Sequence, residues 1–182
     1  MNKTLITLSG PTASGKTSIA IRIAKALGAE IFSCDSRQFY EEMTIGTAVP
    51  TAAEQKEIPH HFIQHKSIHT PYSVGQFESD AIESLSDYFK QNDIAILVGG
   101  SGLYMHAVVH GIDQFPAVSE EIRSSLGKRL KTYGLEDLQK ELQTLDSDHF
   151  EKMDIKNPSR VLRALGVCLA AGKPYSSFLN QK

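Results

Sequence analysis

The sequence predicts an α/β chain: a P-loop NTPase-like parallel sheet with flanking helices and a small helical insertion. Short continuous apolar runs at residues 5–9, 30–34 and 94–98 have the length and composition of strands buried on both faces of a sheet. Between them lie stretches with helical apolar spacing, the alternation that makes a parallel sheet. The first strand and first helix are joined by Gly10-Pro-Thr-Ala-Ser-Gly-Lys-Thr17, which has the P-loop spacing of two glycines, a lysine and a hydroxyl residue.

Taken in order, the first helix covers residues 17–27 and stops at Gly28. The second strand delivers Asp35-Ser-Arg-Gln38 to the carboxyl edge of the sheet, the edge on which the P-loop also sits. Residues 39–70 lose periodicity, and Gly46, Pro50 and Pro59 mark long loops with one short helix around 51–57. Such loops at a sheet edge form binding surfaces. Ser73-Val-Gly-Gln76 has capping-box spacing and predicts a helix over 74–90. The strand at 94–98 runs into Gly99-Gly-Ser-Gly102, where backbone can approach a ligand closely, followed by a helix over 103–110. A strand that ends in glycine, and not in an aspartate for magnesium, argues against a simple ATPase.

From residue 119 the pattern turns to short charged amphipathic helices over 119–133, 135–145 and near 148–152. Asn157 then caps a helix with Pro158 at its first position, ended by Gly172. The expected organisation is a P-loop core over 1–114, a helical insertion over 115–157 and a helix returning to the core over 158–182.

The chain has 182 residues, 41% of them hydrophobic, with a formal net charge of −2. That balance gives no global attraction to nucleic acid, so any RNA contact is local. No apolar run approaches the ~20 residues that span a bilayer, and the N-terminus leads straight into a strand. A cytoplasmic protein with no membrane partner is expected. Cys34 and Cys168 lack metal-ligand spacing.

The candidate chemistry starts at the P-loop. Its glycines let successive amides converge on phosphate oxygens at a helix N-terminus, Lys16 adds a mobile charge, and the Thr17 hydroxyl is the expected ligand of Mg²⁺. Asp35 follows Gly15 at the distance of a ribose-binding acid, yet the glycine spacing is wrong for a dinucleotide fold and Lys16-Thr17 would have no task there. A carboxylate near bound diphosphate is costly unless it accepts a proton or holds a metal, which makes Asp35 a general-base candidate. His60, His61, His65 and His69 fit no helix face around Pro59, which favours loop packing or substrate contact over a metal. His106 and His110 are read as surface or packing residues, and Gly127-Lys-Arg-Leu-Lys131 as a solvated helix face. Arg160 and Arg163, three apart on one face, suit a phosphate clamp.

Read together, Gly10 to Thr17, Asp35-Ser-Arg-Gln38, Ile45-Gly-Thr-Ala48, Pro59-His-His61, Leu97-Val-Gly-Gly-Ser-Gly-Leu-Tyr104 and Arg160-Val-Leu-Arg-Ala-Leu165 resemble the bacterial tRNA dimethylallyltransferases, the IPP transferase family. The resemblance implies transfer of a dimethylallyl group from dimethylallyl diphosphate to N6 of the adenosine next to the anticodon, in tRNAs reading codons that begin with U. The rival reading is an adenylate isopentenyltransferase acting on AMP or ATP; a small-molecule kinase and a diphosphate-binding fragment without turnover are further alternatives. By resemblance, Asp35, Lys16, Ser101 and Arg163 are catalytic, with either Arg160 or Arg163 on the diphosphate. Gly10, Pro11, Thr12, Ala13, Ser14, Gly15, Lys16 and Thr17 hold that diphosphate. The tRNA contacts implied are Asp35, Ser36, Arg37, Gln38, Ser101 and Arg123, with Ser159, Arg160, Val161, Leu162 and Arg163. Mg²⁺ is the implied cofactor, and a monomer is expected. Val49 stands where the family usually has Lys, and Gly166 where it has Glu. Family members are usually longer, so a C-terminal region that grips the anticodon stem is expected to be missing.

Overall fold

The computed structural model describes residues 2–179. Its first compact unit, residues 1–112, is built on a four-stranded parallel sheet in the order β1-β4-β2-β3. The strands are β1 (Thr4–Ser9), β2 (Glu30–Ser33), β3 (His60–His61) and β4 (Ile94–Gly99). Residues alternate between the faces, as the pleat requires. Ile31 and Ile96 pack with Ala20, Ile21 and Ala24 of helix α1 (Lys16–Leu27). Phe32, Ala95 and Leu97 pack on the other side with Phe77, Ala81 and Leu85 of α3 (Val74–Tyr88) and Val108 of α4 (Gly102–His110). Burial on both faces is why β2 and β4 read as apolar runs, whereas β1, expected to be buried on both faces, lies at the sheet edge with Thr4, Thr7 and Ser9 exposed.

The register is level at the carboxyl edge. Ser9 pairs with Gly99 and Ser33 with Val98, so the chain leaves β1, β2 and β4 side by side. With β4 between β1 and β2, the Gly99–Gly102 turn lies between the P-loop and the Asp35 turn. Brändén-type crevices form at such reversals of strand order.

Two expectations in this unit are corrected. Residues 60 and 61, read as loop, form β3, where the Ile31 amide donates to the Pro59 carbonyl at 3.1 Å. Two residues are too few to show a period. The third helix ends two residues early because the Asn92 backbone and side-chain amides both donate to the Tyr88 carbonyl, at 3.1 and 3.2 Å. The short helix α2 (Ala52–Glu57) opens with a capping box between Thr51 and Glu54.

The second unit, residues 113–182, contains α5 (Glu120–Tyr133), α6 (Leu135–Leu145), α7 (Ser147–Lys152), α8 (Pro158–Ala171) and a 3-10 turn at Tyr175–Phe178. Its core joins Leu126, Leu138 and Leu142 to Val161, Ala164, Leu165 and Cys168. Thus α8, expected to return to the P-loop core, packs on α5 and α6 in the second unit. Periodicity identifies the buried face of a helix but not its partner. Gly166 permits close packing, since a Cβ there would sit 3.3 Å from Val118 Cγ1. Asp146, which caps α7, also accepts from the Ser176 amide at 2.6 Å and so ties the 3-10 turn to the bundle. On the solvated face of α5, where Lys128 and Lys131 are exposed, the half-buried Arg129 donates to Asp137 through Nε and Nη2, and to Glu141 through Nη1 at 2.6 Å.

Candidate active site

A cleft of about 340 Å³ opens at the carboxyl edge of the sheet in the first unit. Residues Thr12 to Ser18 line it together with Ser33, Asp35, Gln38 and Gly99. The P-loop curls because Ala13 and Gly15 take positive φ, 63° and 81°. For a residue with a side chain this conformation costs about 1–2 kcal/mol, the kind of strain found where backbone amides are aimed at a ligand. Gly15 is also the N-cap of α1, a helix with no acidic residue in its first turn, so its positive dipole end faces the cleft uncompensated. Lys16 holds its ammonium on the loop, donating to the Pro11 carbonyl at 2.5 Å. These residues form an oxyanion cradle of amides, dipole and cation.

Asp35 lies beside that cradle. Its Oδ1 accepts from the Arg37 amide at 3.1 Å, and its carbonyl accepts from the Gln38 amide at 3.0 Å, so the turn is rigid. A Cβ placed on Gly100 would lie 3.4 Å from Asp35 Oδ2 and 3.6 Å from the Gly10 carbonyl oxygen. One small gap therefore touches both the carboxylate and the P-loop. Gly99 permits this approach: a Cβ on it would meet Cys34 Sγ at 2.6 Å and the Cys34 carbonyl carbon at 2.8 Å. Cys34 is buried, and burial with the adjacent Asp35 charge pushes its thiol up to about 12. It stays a neutral packing group.

Ser101 reaches across from the β4 turn. Its hydroxyl accepts from the Ser36 amide and shares a hydrogen bond with the Ser36 hydroxyl, both at 3.1 Å. It thereby fixes the Asp35 turn against the glycine turn. Arg37 is exposed. Gln38 is half-buried and points its amide at protein groups.

Sequence reasoning did not place Ala48, Pro50, Glu54, His60 and Ile63 on this cleft, though all five line it. The Thr51-x-x-Glu54 spacing was a readable signal for α2, but nothing local shows that its loop folds over the sheet edge. His60 Nδ1 donates to the Ile58 carbonyl at 2.7 Å, and burial lowers its pKa, so it is neutral. Its Nε2 is buried without a hydrogen-bond partner among the described residues. His61 instead meets Glu30 at 2.6 Å and stacks on Phe32, and His65 sits among Phe39, Phe62 and Tyr72. His106 and His110 are exposed on α4 with ring centroids 4.7 Å apart.

The remaining predicted residues belong to the second unit. Arg123, Ser159, Leu162 and Arg163 line a separate cleft of about 310 Å³ with Val118 and Leu126. The Arg163 guanidinium stacks over the Phe115 ring at 5.1 Å. Arg160 is exposed, while Val161 is fully buried in the helical core and contributes packing.

Among the described residues no three His, Cys, Asp or Glu side chains converge to hold a metal. The donors lining the cleft include the Thr17 hydroxyl and the carboxylates of Asp35 and Glu54, with the His60 imidazole beside them. That sparse set fits Mg²⁺, which keeps several waters and is held largely by its substrate's phosphate oxygens.

Parallel sheet, strained glycine loop and flanking carboxylate together define a P-loop α/β protein with an acid side chain at the phosphate site. The family model described as IPP transferase matches residues 38–182, and the chain belongs to that family. The P-loop and Asp35 precede the matched span. The tRNA dimethylallyltransferase of Christiangramia forsetii is 51% identical over 100% of this chain. That of Flavobacterium psychrophilum is 50% identical over 97%. In each case the chain spans 60% of the relative's length. The crystal structure of the tRNA isopentenylpyrophosphate transferase from Bacillus halodurans, 35% identical, superposes with a TM-score of 0.60 over 96% of this chain and 58% of its own. A eukaryotic dimethylallyltransferase acting on tRNA shares the fold, with a TM-score of 0.82 at 24% identity over 100% of this chain and 45% of its own. No helix among the described residues is long and apolar enough to cross a membrane.

Proposed function

We propose that this chain carries the catalytic half-site for transfer of a dimethylallyl group from dimethylallyl diphosphate to N6 of an adenosine in a tRNA anticodon loop. The observation that carries the reading is the one cleft lined both by the P-loop residues Thr12 to Ser18 and by Asp35. In that cleft the N6 lone pair forms a bond to the allylic carbon, the carbon–oxygen bond to diphosphate breaks, and its electron pair leaves with the diphosphate. Asp35 takes the N6 proton. The P-loop amides, the helix dipole and Lys16 stabilise the charge that develops on the leaving group. The Thr17 hydroxyl would hold Mg²⁺, which would supply further charge neutralisation when bound. Ser101 keeps Asp35 in place through Ser36.

A target base in an anticodon loop is already single-stranded, so drawing it into the cleft costs only a few kcal/mol. The second unit's cleft, with Arg123, Ser159 and Arg163, is the proposed contact for RNA phosphates, and tRNA the proposed partner. We infer a cytoplasmic, monomeric protein.

The test is mass spectrometry of adenosine recovered from tRNA incubated with the chain, dimethylallyl diphosphate and Mg²⁺, with free AMP as the parallel acceptor. Isopentenylated adenosine in tRNA is expected. Product on AMP alone would show an adenylate isopentenyltransferase instead.

A further inference from the structure

We propose that Gln38 is a positioning residue for the allylic half of the cleft and not a reader of RNA. The inference rests on the reading of the cleft as a dimethylallyl diphosphate site. A glutamine amide has two N–H donors and one acceptor oxygen. In Gln38 both donors are taken by backbone carbonyls ten and nine residues ahead: Nε2 donates to Ala48 at 2.8 Å and to Thr47 at 3.2 Å. Its Oε1 accepts from the Ser33 hydroxyl at 3.0 Å. The backbone is engaged as well, the amide on the Asp35 carbonyl and the carbonyl on the Gln64 amide at 2.8 Å. Neither donor is left to reach a base or a phosphate.

What these bonds hold is a strained wall. Ala48 has φ 51°, a conformation that costs a residue with a side chain about 1–2 kcal/mol and persists only where neighbours enforce it. Thr47, buried, adds a second clamp by donating its hydroxyl to the Met43 carbonyl at 2.6 Å. Ala48 and Pro50, with Ile63 and Val98, supply apolar lining to a cleft whose other walls carry the P-loop, Lys16, Asp35, Glu54 and His60. A diphosphate has no use for that lining, whereas a five-carbon allylic tail does. Gln38 therefore connects the end of β2, which carries Asp35, to the wall that receives the tail. It sets where the allylic carbon lies relative to the base.

The experiment compares calorimetric affinities for dimethylallyl diphosphate and inorganic diphosphate, both with Mg²⁺, in the wild type and Gln38→Glu. The carboxylate keeps the side-chain length but sets an anion against two carbonyl oxygens. The wild type is expected to prefer the allylic ligand. Gln38→Glu is expected to lose about tenfold in affinity for it while keeping inorganic diphosphate within about twofold. With tRNA as acceptor, KM rises for dimethylallyl diphosphate and stays unchanged for tRNA. If Gln38→Glu does not fold, Gln38→Met, of similar length and without donors, decides by the same ratio. A variant that keeps the wild-type preference, or raises KM for tRNA alone, overturns the role of Gln38. A wild type with no preference between the two ligands overturns the reading of the cleft and this inference with it.

Discussion

In the first unit the phosphate end of the cleft relies on backbone: amides of a curled loop, and two glycines that let strands and turns touch beside a carboxylate held by its own turn. In the second, the cleft is made of side chains standing on helices, two arginines and a serine over an apolar bed of Val118, Leu126 and Leu162. The difference teaches where each unit tolerates change. A backbone site fails abruptly, because one added carbon closes it or tilts a strand. A side-chain site weakens by degrees, one contact at a time.

The largest break expected in this contrast is chemical. Asp35→Asn keeps the shape of the turn but removes the proton acceptor, so turnover in single-turnover assays should fall about 10²–10⁴-fold while diphosphate affinity holds. An unchanged rate would take Asp35 out of the reaction.

Gly99→Ala should come next. Its Cβ would sit 2.6 Å from Cys34 Sγ and 2.8 Å from backbone, too close for either to yield cheaply. Loss of about 1–3 kcal/mol of stability is expected by urea denaturation, with diphosphate affinity falling as the Asp35 turn shifts.

Arg163→Ala should act more gently and only on RNA. The slope of log affinity for tRNA against log salt should shrink by about one, with inorganic diphosphate affinity unchanged. A loss of turnover without loss of tRNA affinity would instead give Arg163 a part in the chemistry.

The smallest effect has the opposite sign. Gly127 lies inside α5 with nothing within 4 Å of a Cβ, so Gly127→Ala should stabilise the chain by up to about 1 kcal/mol, read as a higher thermal midpoint. Two alanines put in place of glycine, moving stability in opposite directions, would sharpen the comparison most directly.

Much of the fold was legible because its signals are local. The runs that became β2 and β4 are apolar since both faces are covered, the half-buried Leu5, Ile6 and Leu8 were enough to mark β1, and Gly28, Ser73, Asn157 and Gly172 mark helix ends through their own backbone preferences. The P-loop could be read for the same reason: Gly15 and Lys16 act through their own conformation and charge. Asp35 was legible at one remove, since a parallel sheet brings every strand's carboxyl end to one edge. His60, Ala48 and Pro50 were not placed on the cleft, because their position depends on how a long loop packs. The partner of α8 was misjudged because an apolar stripe fits any complementary stripe of similar width.

By itself the sequence determined β1, β2 and β4, most helix boundaries, the phosphate loop and the acid that follows the second strand, all properties of neighbouring residues. Only the tertiary structure decided that β4 separates β1 from β2, that Gly100 lies against both Asp35 and the P-loop, and that the Gln38 amide is spent on Thr47 and Ala48. Strand order and hydrogen-bond partners far along the chain follow from which packing pairs most buried polar groups and fills the core. That is a property of the whole molecule, which no stretch of residues states alone.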